Sequence, residues 1–346
     1  MTKNLVFVQS TSPAGNQILV YNRAEDGTLT LAETVDTGGT GGSNECPAGS
    51  PVDPLDSQGS LGYDTHHRVL IGVNAGSDTV SVFGLEGDHL RLRQVIASGG
   101  TFPVSVTVHG DLVFVLNAHA AGAITGYRIT DGQLCPIDNS TRSLKLTPVT
   151  GPTQGVNTPA QISFTPDGQQ LVITTKLNGS LIDVFTMGPS GQPSDTFTAN
   201  PAGTPVPFGF TFDDQERLVV TDAGANTLTT YTVHSDGTVT QVAAQPNGQQ
   251  ATCWVAHVAE NFYIVNNSSN TITGYHIDSA GTPTVFTQNP TREGPIDLVG
   301  TRDGHFLYVQ IGTAGGVDGF RITSNGTLHQ VVTLTGRSGM QGIALT

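Results

Sequence analysis

Two charged residues in the sequence are placed so that together they could bind a small organic acid. Lys176 is one of only three lysines in the chain, and Asp222 lies at the corresponding place in the next repeat described below. An ammonium group near a carboxylate in a partly dry cleft can bind an anionic substrate or stabilise an oxyanion. The same pair could instead form a salt bridge between neighbouring repeats, and the sequence leaves both interpretations open.

Two other residues are candidates for moving a proton. His119, in LNAHAAG, is the only one of ten histidines predicted on the same face as Lys176. Asp297 would serve as a general base if burial raised its pKa. A solvated imidazole and a structural carboxylate are the corresponding non-catalytic interpretations.

Cys253 directly precedes Trp254, the only tryptophan. A nucleophilic thiol needs a nearby base or cation, and none is evident in the sequence, which favours an inert buried thiol. Trp254 is predicted either to wall a pocket or to fill space between repeats. Cys253 and Trp254 join the candidate substrate-binding set, together with the amides Asn74, Asn117, Gln161, Asn266 and Gln310.

The chain contains no GxSxG motif, no phosphate-binding glycine-rich loop and no Cys/His spacing typical of zinc sites. We therefore expect no metal and no cofactor. The predicted partner is a small molecule, anionic or lactone-bearing.

A repeated aromatic residue shows which elements must hold these side chains. It recurs at intervals of 44 to 62 residues, as Tyr21, Phe83, Tyr127, Phe185, Tyr231, Tyr275 and Phe320. Four strand-like runs accompany each aromatic, which is typical of β-propellers. The sequence predicts an all-β, seven-bladed β-propeller in one domain, 1–346, with four antiparallel strands per blade. The C-terminal GMQGIALT would complete the first blade and close the ring.

The repeat predicts which residues end the second strand of each blade at the channel mouth: Ser10, Asn74, Asn117, Lys176, Asp222, Asn266 and Gln310. Gln161, Cys253 and Asp297 fall near the start of innermost strands. Two long connections between blades, 38–58 and 146–158, are predicted on this same face. Long loops in compact repeats usually serve a function, although tolerated insertion is the alternative.

The composition excludes several partner classes. The net charge is −14, which argues against nucleic acid and anionic membranes as partners because both require a basic surface. No apolar run approaches the roughly 20 residues of a transmembrane helix, and MTKNLVFVQS lacks a signal-peptide pattern. The simplest prediction is a cytoplasmic protein, although a trimmed secretory precursor would look the same. The sequence gives no indication of the oligomeric state.

The chain resembles the lactonase-type seven-bladed propellers, which include propeller 6-phosphogluconolactonases and carboxymuconate-cyclase-like proteins. The phrases that carry the resemblance are SQGSLGY, VNAGSDTVSVF, SGGTFPVSVTV, PAQISFTPDGQQLVITTK, PFGFTF, CWVAHV and NSSNTITGYHI. The resemblance implies a metal-free active site at the channel mouth that acts on lactones or unsaturated dicarboxylic acids. The family's usual channel Arg, His and Glu are replaced here by Ser, Gln, Cys, Asp, Asn and Lys, so its catalytic residues cannot be carried over.

We therefore expect a lactonase-like enzyme that hydrolyses a lactone or ester-type ring, or catalyses the related cyclisation or elimination, on a small organic or sugar acid. In this hypothesis Lys176 binds a carboxylate or oxyanion, His119 or Asp297 moves the proton, and Asp222 positions Lys176 or a water. The alternatives are a non-catalytic propeller that binds a small molecule or protein segment, and a re-equipped enzyme that acts on a xenobiotic or secondary metabolite.

Overall fold

A computed structural model of the chain describes residues 4–50 and 52–346 as seven antiparallel sheets, one per blade. The strands of each blade are named here in order from the channel outwards. Blade one contains Ile343–Leu345 (β29), Leu5–Gln9 (β1), Gln17–Arg23 (β2) and Leu29–Asp36 (β3). Blade two contains Leu61–Asp64 (β4), Val69–Asn74 (β5), Thr79–Glu86 (β6) and His89–Ala97 (β7). Blade three contains Pro103–His109 (β8), Leu112–Asn117 (β9), Ala123–Thr130 (β10) and Gln133–Pro136 (β11), and Arg142–Ser143 (β12) also pairs with β10.

The remaining four blades repeat the same order. Blade four contains Gln161–Phe164 (β13), Gln170–Thr174 (β14), Leu181–Thr186 (β15) and Thr198–Pro201 (β16). Blade five contains Pro207–Phe212 (β17), Leu218–Asp222 (β18), Thr227–Val233 (β19) and Val239–Pro246 (β20). Blade six contains Thr252–Val258 (β21), Asn261–Asn266 (β22), Thr271–Ile277 (β23) and Pro283–Pro290 (β24). Blade seven contains Pro295–Gly300 (β25), Phe306–Ile311 (β26), Val317–Ile322 (β27) and Leu328–Leu334 (β28).

The predicted propeller is confirmed, including its closure. The strand β29 pairs with β1, so that Phe7 lies opposite Ala344 and Val8 opposite Ile343. The C-terminal strand therefore supplies the innermost strand of the blade that the N-terminal region begins. Because this pairing joins the two ends of the chain, β1 is paired on both sides and the first blade has four strands like the others.

The aromatic residues that define the repeat lie between the blades. All seven are at most 8% exposed, and the central strands of the blades are almost continuously buried. The hydroxyl of Tyr127 donates to the backbone oxygen of Ala97 in blade two, 2.6 Å away. These side chains pack neighbouring sheets together, which explains why the pattern recurs once per blade.

The register differs from the sequence prediction in two blades. Leu171 pairs with Phe185, so the residue equivalent to Asn266 in blade four is Thr175, and Lys176 lies one residue beyond this equivalent position. In blade seven Leu307 pairs with Phe320, which places Gln310 one residue before the equivalent position. Side chains alternate between faces along a strand, so a one-residue shift changes where each side chain points.

β-bulges interrupt the innermost strands of blades three, five, six and seven near their first residues. In blade five the irregularity includes Phe208, and in blades six and seven it falls at Cys253 and Asp297. A bulge leaves an extra residue unpaired and can re-aim its side chain. This explains how residues of the innermost strands reach the site described below.

Helical structure in the described residues is limited to two 3-10 turns, Ala75–Ser77 and Gly155–Asn157. Within the same part of the chain, no helix is long and apolar enough to cross a membrane.

Candidate functional site

Residues 52–58, which we call the crossing segment, lie over the channel mouth. The backbone oxygen of Ser57 accepts hydrogen bonds from Trp254 Nε1 in blade six and from Gln341 Nε2, each 2.8 Å away. Ser57 Oγ donates to the backbone oxygen of Val104 in blade three, 2.9 Å away. Because these partners lie in or beside strands on different sides of the channel, the crossing segment spans the mouth.

Gln58 fixes the crossing segment more firmly. Its side chain forms two hydrogen bonds with the backbone of Val255, of 2.9 and 3.0 Å, much like an extra strand residue. The backbone nitrogen of Gln58 donates to the backbone oxygen of Ala160, just before the first strand of blade four. The crossing segment therefore covers the channel mouth and leaves the accessible space on one side of it.

That space is a cavity of about 340 Å³ between the crossing segment and blades four to six. We call it the main cavity. The connection 38–58 supplies Cys46, Pro47, Ser50, Asp53 and Asp56, the connection 146–158 supplies Val156, and the turn after β14 supplies Lys176 and Leu177. Blades five and six supply Val206, Phe208, Ala223, Gly224, Ala251, Cys253, Trp254, Asn267 and Ser268. Both long connections contribute, and they contact each other directly, since Glu45 N donates to Gln154 Oε1.

Lys176 lies against the floor of this cavity and is 1% exposed. Its ammonium donates to the backbone oxygens of Asp56 and Gly155, each 2.6 Å away, and to Thr158 Oγ1, 3.0 Å away. An ammonium has three N–H donors, so these bonds use all of them. Burial lowers the pKa of Lys176, an effect that the nearby carboxylates oppose. Lys176 thus joins the crossing segment to the connection 146–158.

Two aspartates of the crossing segment complete the charged cluster. Asp53 Oδ1 accepts a hydrogen bond from the amide of Asp56, 3.0 Å away. Desolvation raises the pKa of Asp53 well above its ordinary value, and the neighbouring Asp56 charge adds to the shift. Cys46 Sγ contacts Asp56 Oδ2 at 3.5 Å, and desolvation together with the two aspartates raises the pKa of Cys46 to about 12.

The backbone of Gly155 lies close to the carboxylate of Asp56. A Cβ atom on Gly155 would lie 2.0 Å from Asp56 Oδ2, so only glycine fits here without displacing the carboxylate.

Cys253 and Trp254 both line the main cavity. Desolvation raises the pKa of Cys253 well above its ordinary value, so the thiol is a poor nucleophile despite the proximity of Lys176. Trp254 is 1% exposed and packs edge-on against Phe208, with ring centroids 4.9 Å apart. The tryptophan therefore forms part of the wall and also anchors the crossing segment.

Asp222 is not among the hydrogen-bond partners of Lys176, so the predicted positioning of the lysine by Asp222 is wrong, while the alternative role of positioning a water stays a prediction. It is fully buried within blade five, where Asp222 Oδ2 accepts hydrogen bonds from the hydroxyls of Thr227 and Thr229. Its Oδ1 has no hydrogen-bond partner, and desolvation raises the pKa of Asp222 to about 7. Lys176 instead donates to the crossing segment, whose position over the mouth has no signal in the sequence.

His119 lines a separate cavity of about 270 Å³, beside the connection 146–158. Its ring stacks on Phe102 at 4.0 Å, and its Nε2 lies 2.9 Å from Asn44 Oδ1. Desolvation lowers the pKa of His119, although Asp78 opposes this shift. Thr158 lines the same cavity and also accepts a hydrogen bond from Lys176.

Asp297 lies in the innermost strand of blade seven with a left-handed φ of 45° and is 4% exposed. Its Oδ1 accepts a hydrogen bond from the amide of Leu298, and desolvation raises its pKa to about 7. Asp297 does not line the main cavity. The structure therefore does not bring Lys176, His119 and Asp297 together around one space.

The five predicted amides are at most 8% exposed and bond within the protein. Gln161 exchanges two hydrogen bonds with the backbone of Phe210 in the next blade. The side chain of Asn74 bonds to Asn16, Thr79 and Ser81, and that of Asn266 to Asn247, Thr252, Thr271 and Thr273. Asn117 and Gln310 donate to the backbone oxygens of Ser98 and Gln9. None of these amides lines the main cavity.

Sequence reasoning missed Asp53 and Asp56. Both lie in PVDPLDSQ, inside the long connection predicted to have a function, and their spacing of three residues in a proline-containing segment was the available signal.

Across the described residues 4–50 and 52–346, no group of three or more His, Cys, Asp or Glu side chains is arranged to hold a metal ion.

Comparison with known proteins supports the same type of propeller. The family model described as "Lactonase, 7-bladed beta-propeller" matches residues 139–256, about a third of the chain, from the outer part of blade three into blade six. A comparison with curated protein sequences finds no match.

Several solved structures share the whole fold. The periplasmic gluconolactonase PpgL of Pseudomonas aeruginosa has a TM-score of 0.79 at 16% identity, covering 99% of this chain and 98% of that one. A provisionally assigned 6-phosphogluconolactonase of Bacteroides uniformis has a TM-score of 0.76 at 17% identity, covering 99% and 100%. At such identities the similarity establishes the fold and not the activity.

Proposed function

Because the chain is a seven-bladed β-propeller of the lactonase type, we propose that it is a hydrolase that opens the ring of a small lactone in the main cavity. The observation that carries the proposal is the pair of carboxyl groups of Asp53 and Asp56 facing this cavity above a buried lysine. Two carboxyl groups in different protonation states can divide acid and base catalysis between them.

Asp53 is the proposed general acid. Its raised pKa favours the protonated form at a pH where an ordinary aspartate is ionised. A protonated carboxyl can donate its proton to the ring oxygen as the acyl C–O bond breaks. The same bond cleavage without a proton donor would release an alkoxide into a partly apolar space, which is unfavourable.

Asp56 is the proposed general base. Its carboxylate accepts a proton from a water molecule as that water's oxygen bonds to the lactone carbonyl carbon. The products are the ring-opened hydroxy acid and a protein whose protons have moved from Asp53 to the substrate and from water to Asp56. A proton exchange with solvent restores the starting state.

Lys176 acts as a positioning residue in this proposal. All three of its N–H donors are used by the protein, so it does not contact the substrate directly. Its charge lies near both carboxyl groups, and its bonds fix the backbone of Asp56 relative to the cavity. Positioning of this kind contributes to rate by holding groups in a reactive geometry.

The proposal is tested by following acid release from unsubstituted and alkyl-substituted γ- and δ-lactones at constant pH. The wild-type protein should accelerate the hydrolysis of at least one of them, and Asp53→Asn should remove that acceleration. The absence of turnover across the panel would contradict the hydrolase and favour the non-catalytic alternative.

A further inference from the structure

We propose that the main cavity selects an uncharged lactone with an apolar substituent and rejects phosphorylated or otherwise multiply anionic lactones. This inference rests on the proposed lactone chemistry and deepens it by naming the substrate class.

The only cation in the described lining of the cavity is already committed to the protein. Lys176 donates to three oxygen acceptors at 2.6, 2.6 and 3.0 Å. To bind a phosphate it would have to break one of these bonds and leave a buried acceptor without a donor, which is unfavourable. Phosphate sites in proteins normally offer free Arg, Lys or backbone N–H donors instead.

Apart from Lys176, no titratable group in the described lining offers a positive charge to an anion, since Asp56 is the proposed carboxylate base and Asp53 the proposed neutral acid. Asp53 and Asp56 face the cavity, and neither arginine nor histidine is among its described lining residues. The protein as a whole carries a formal charge of −14. An anionic substituent would therefore meet like charge both on approach and when bound.

The walls offer apolar contacts in place of charge. Phe208 and Trp254 form one side, and Val156, Leu177 and Val206 form part of the rest. A cavity of about 340 Å³ is at the small end of ligand pockets, which suits a single ring with a short chain. Leu177 is 52% exposed at this cavity, as expected for a residue at the entrance.

The experiment compares kcat/KM for δ-decalactone, glucono-δ-lactone and glucono-δ-lactone 6-phosphate at constant ionic strength. We expect δ-decalactone to be preferred at least tenfold over the phosphorylated lactone. Equal or higher kcat/KM for the phosphorylated lactone would overturn the proposal.

A matched pair of variants tests the role of charge at the entrance. Leu177→Arg should reduce the preference for δ-decalactone over the phosphorylated lactone by about tenfold. Leu31→Arg, at an equally exposed leucine on the outer strand of blade one, should leave the preference unchanged. Equal effects of the two substitutions would contradict a local charge selection in the main cavity.

Binding distinguishes failure of this inference from failure of the proposed hydrolase. If no lactone is turned over, calorimetric titration with the lactam analogues of the alkyl and phosphorylated compounds still decides the ligand class. Tighter binding of the alkyl lactam would support the inference even though the hydrolase had failed. Tighter binding of the phosphorylated lactam, or no binding of either, would overturn it.

Discussion

The ammonium of Lys176 donates a hydrogen bond to the backbone oxygen of Asp56, 2.6 Å away, and thereby ties blade four to the segment that crosses the channel mouth. Asp56 lies 120 residues before Lys176 in the chain. Asp56 lies in the connection between blades one and two, and Lys176 follows β14 of blade four. The contact therefore exists only because the connection 38–58 folds back across the mouth. The geometry of the main cavity depends on it.

Replacing Lys176 should destabilise the protein. Lys176→Met removes three hydrogen bonds and leaves the Asp56 carboxylate without its buried counter-charge, so we expect the free energy of unfolding to fall by about 3 kcal/mol. Urea denaturation measures this change. Lys145→Met, at a solvent-exposed lysine, is the control and should change it by less than about 0.5 kcal/mol. Similar losses of stability in both variants would mean that the hydrogen bonds of the Lys176 ammonium make no special contribution.

Gly155 should resist substitution because of its contact with Asp56. A Cβ at this position would lie 2.0 Å from Asp56 Oδ2, so Gly155→Ala should displace the carboxylate and lower kcat about tenfold. Gly62→Ala is the matched control, since its new Cβ would lie 3.7 Å from Val106 in ordinary contact. Lactone hydrolysis by the two variants measures the difference. Equal activity would show that the Asp56 position is not critical.

Asp222 should make stability depend on pH. Its folded pKa, about 7, exceeds its unfolded value of 3.8, so its stabilising contribution is complete below about pH 4 and is lost as pH rises through about 7. The wild type should therefore lose stability between pH 5 and pH 8. In Asp222→Asn this loss should be smaller by roughly 2–3 kcal/mol, as measured by urea denaturation at both pH values.

The control for this measurement is Asp236→Asn, an exposed aspartate of blade five whose pKa is lowered by hydrogen bonds from Thr238. Because Asp236 is ionised in both states throughout this range, its removal should not change the difference between pH 5 and pH 8. An unchanged pH dependence in Asp222→Asn would contradict the raised pKa.

The repeat made the fold predictable because blade packing demands the same buried aromatic once per sheet. Tyr127 and Phe185 occupy equivalent places, and the strands around them could be assigned by counting. Counting residues from the repeated aromatic predicts the strand ends less well, because the turns between strands differ in length from blade to blade. Lys176 and Gln310 were each assigned one residue away from the equivalent position for this reason.

The site was only partly predictable. Lys176 is predicted at the mouth, Cys253 near the start of an innermost strand, and Trp254 either at a pocket wall or between blades; all three line the main cavity. Asp53 and Asp56 were missed because they belong to a loop without periodicity. Their place depends on the long-range hydrogen bonds that the backbone oxygen of Ser57, in the same segment, accepts from Trp254 and Gln341. No local pattern in the sequence specifies those bonds.

The pH dependence of kcat/KM for the best lactone substrate, in wild type and in Asp53→Asn, tests the central claim most directly. If Asp53 donates the proton, wild-type kcat/KM should fall as pH rises through its raised pKa. Asp53→Asn should be at least about 100-fold slower and lack this decline, while Asp236→Asn should match the wild type. Activity of Asp53→Asn within about threefold of the wild type, with the same pH profile, would contradict the account.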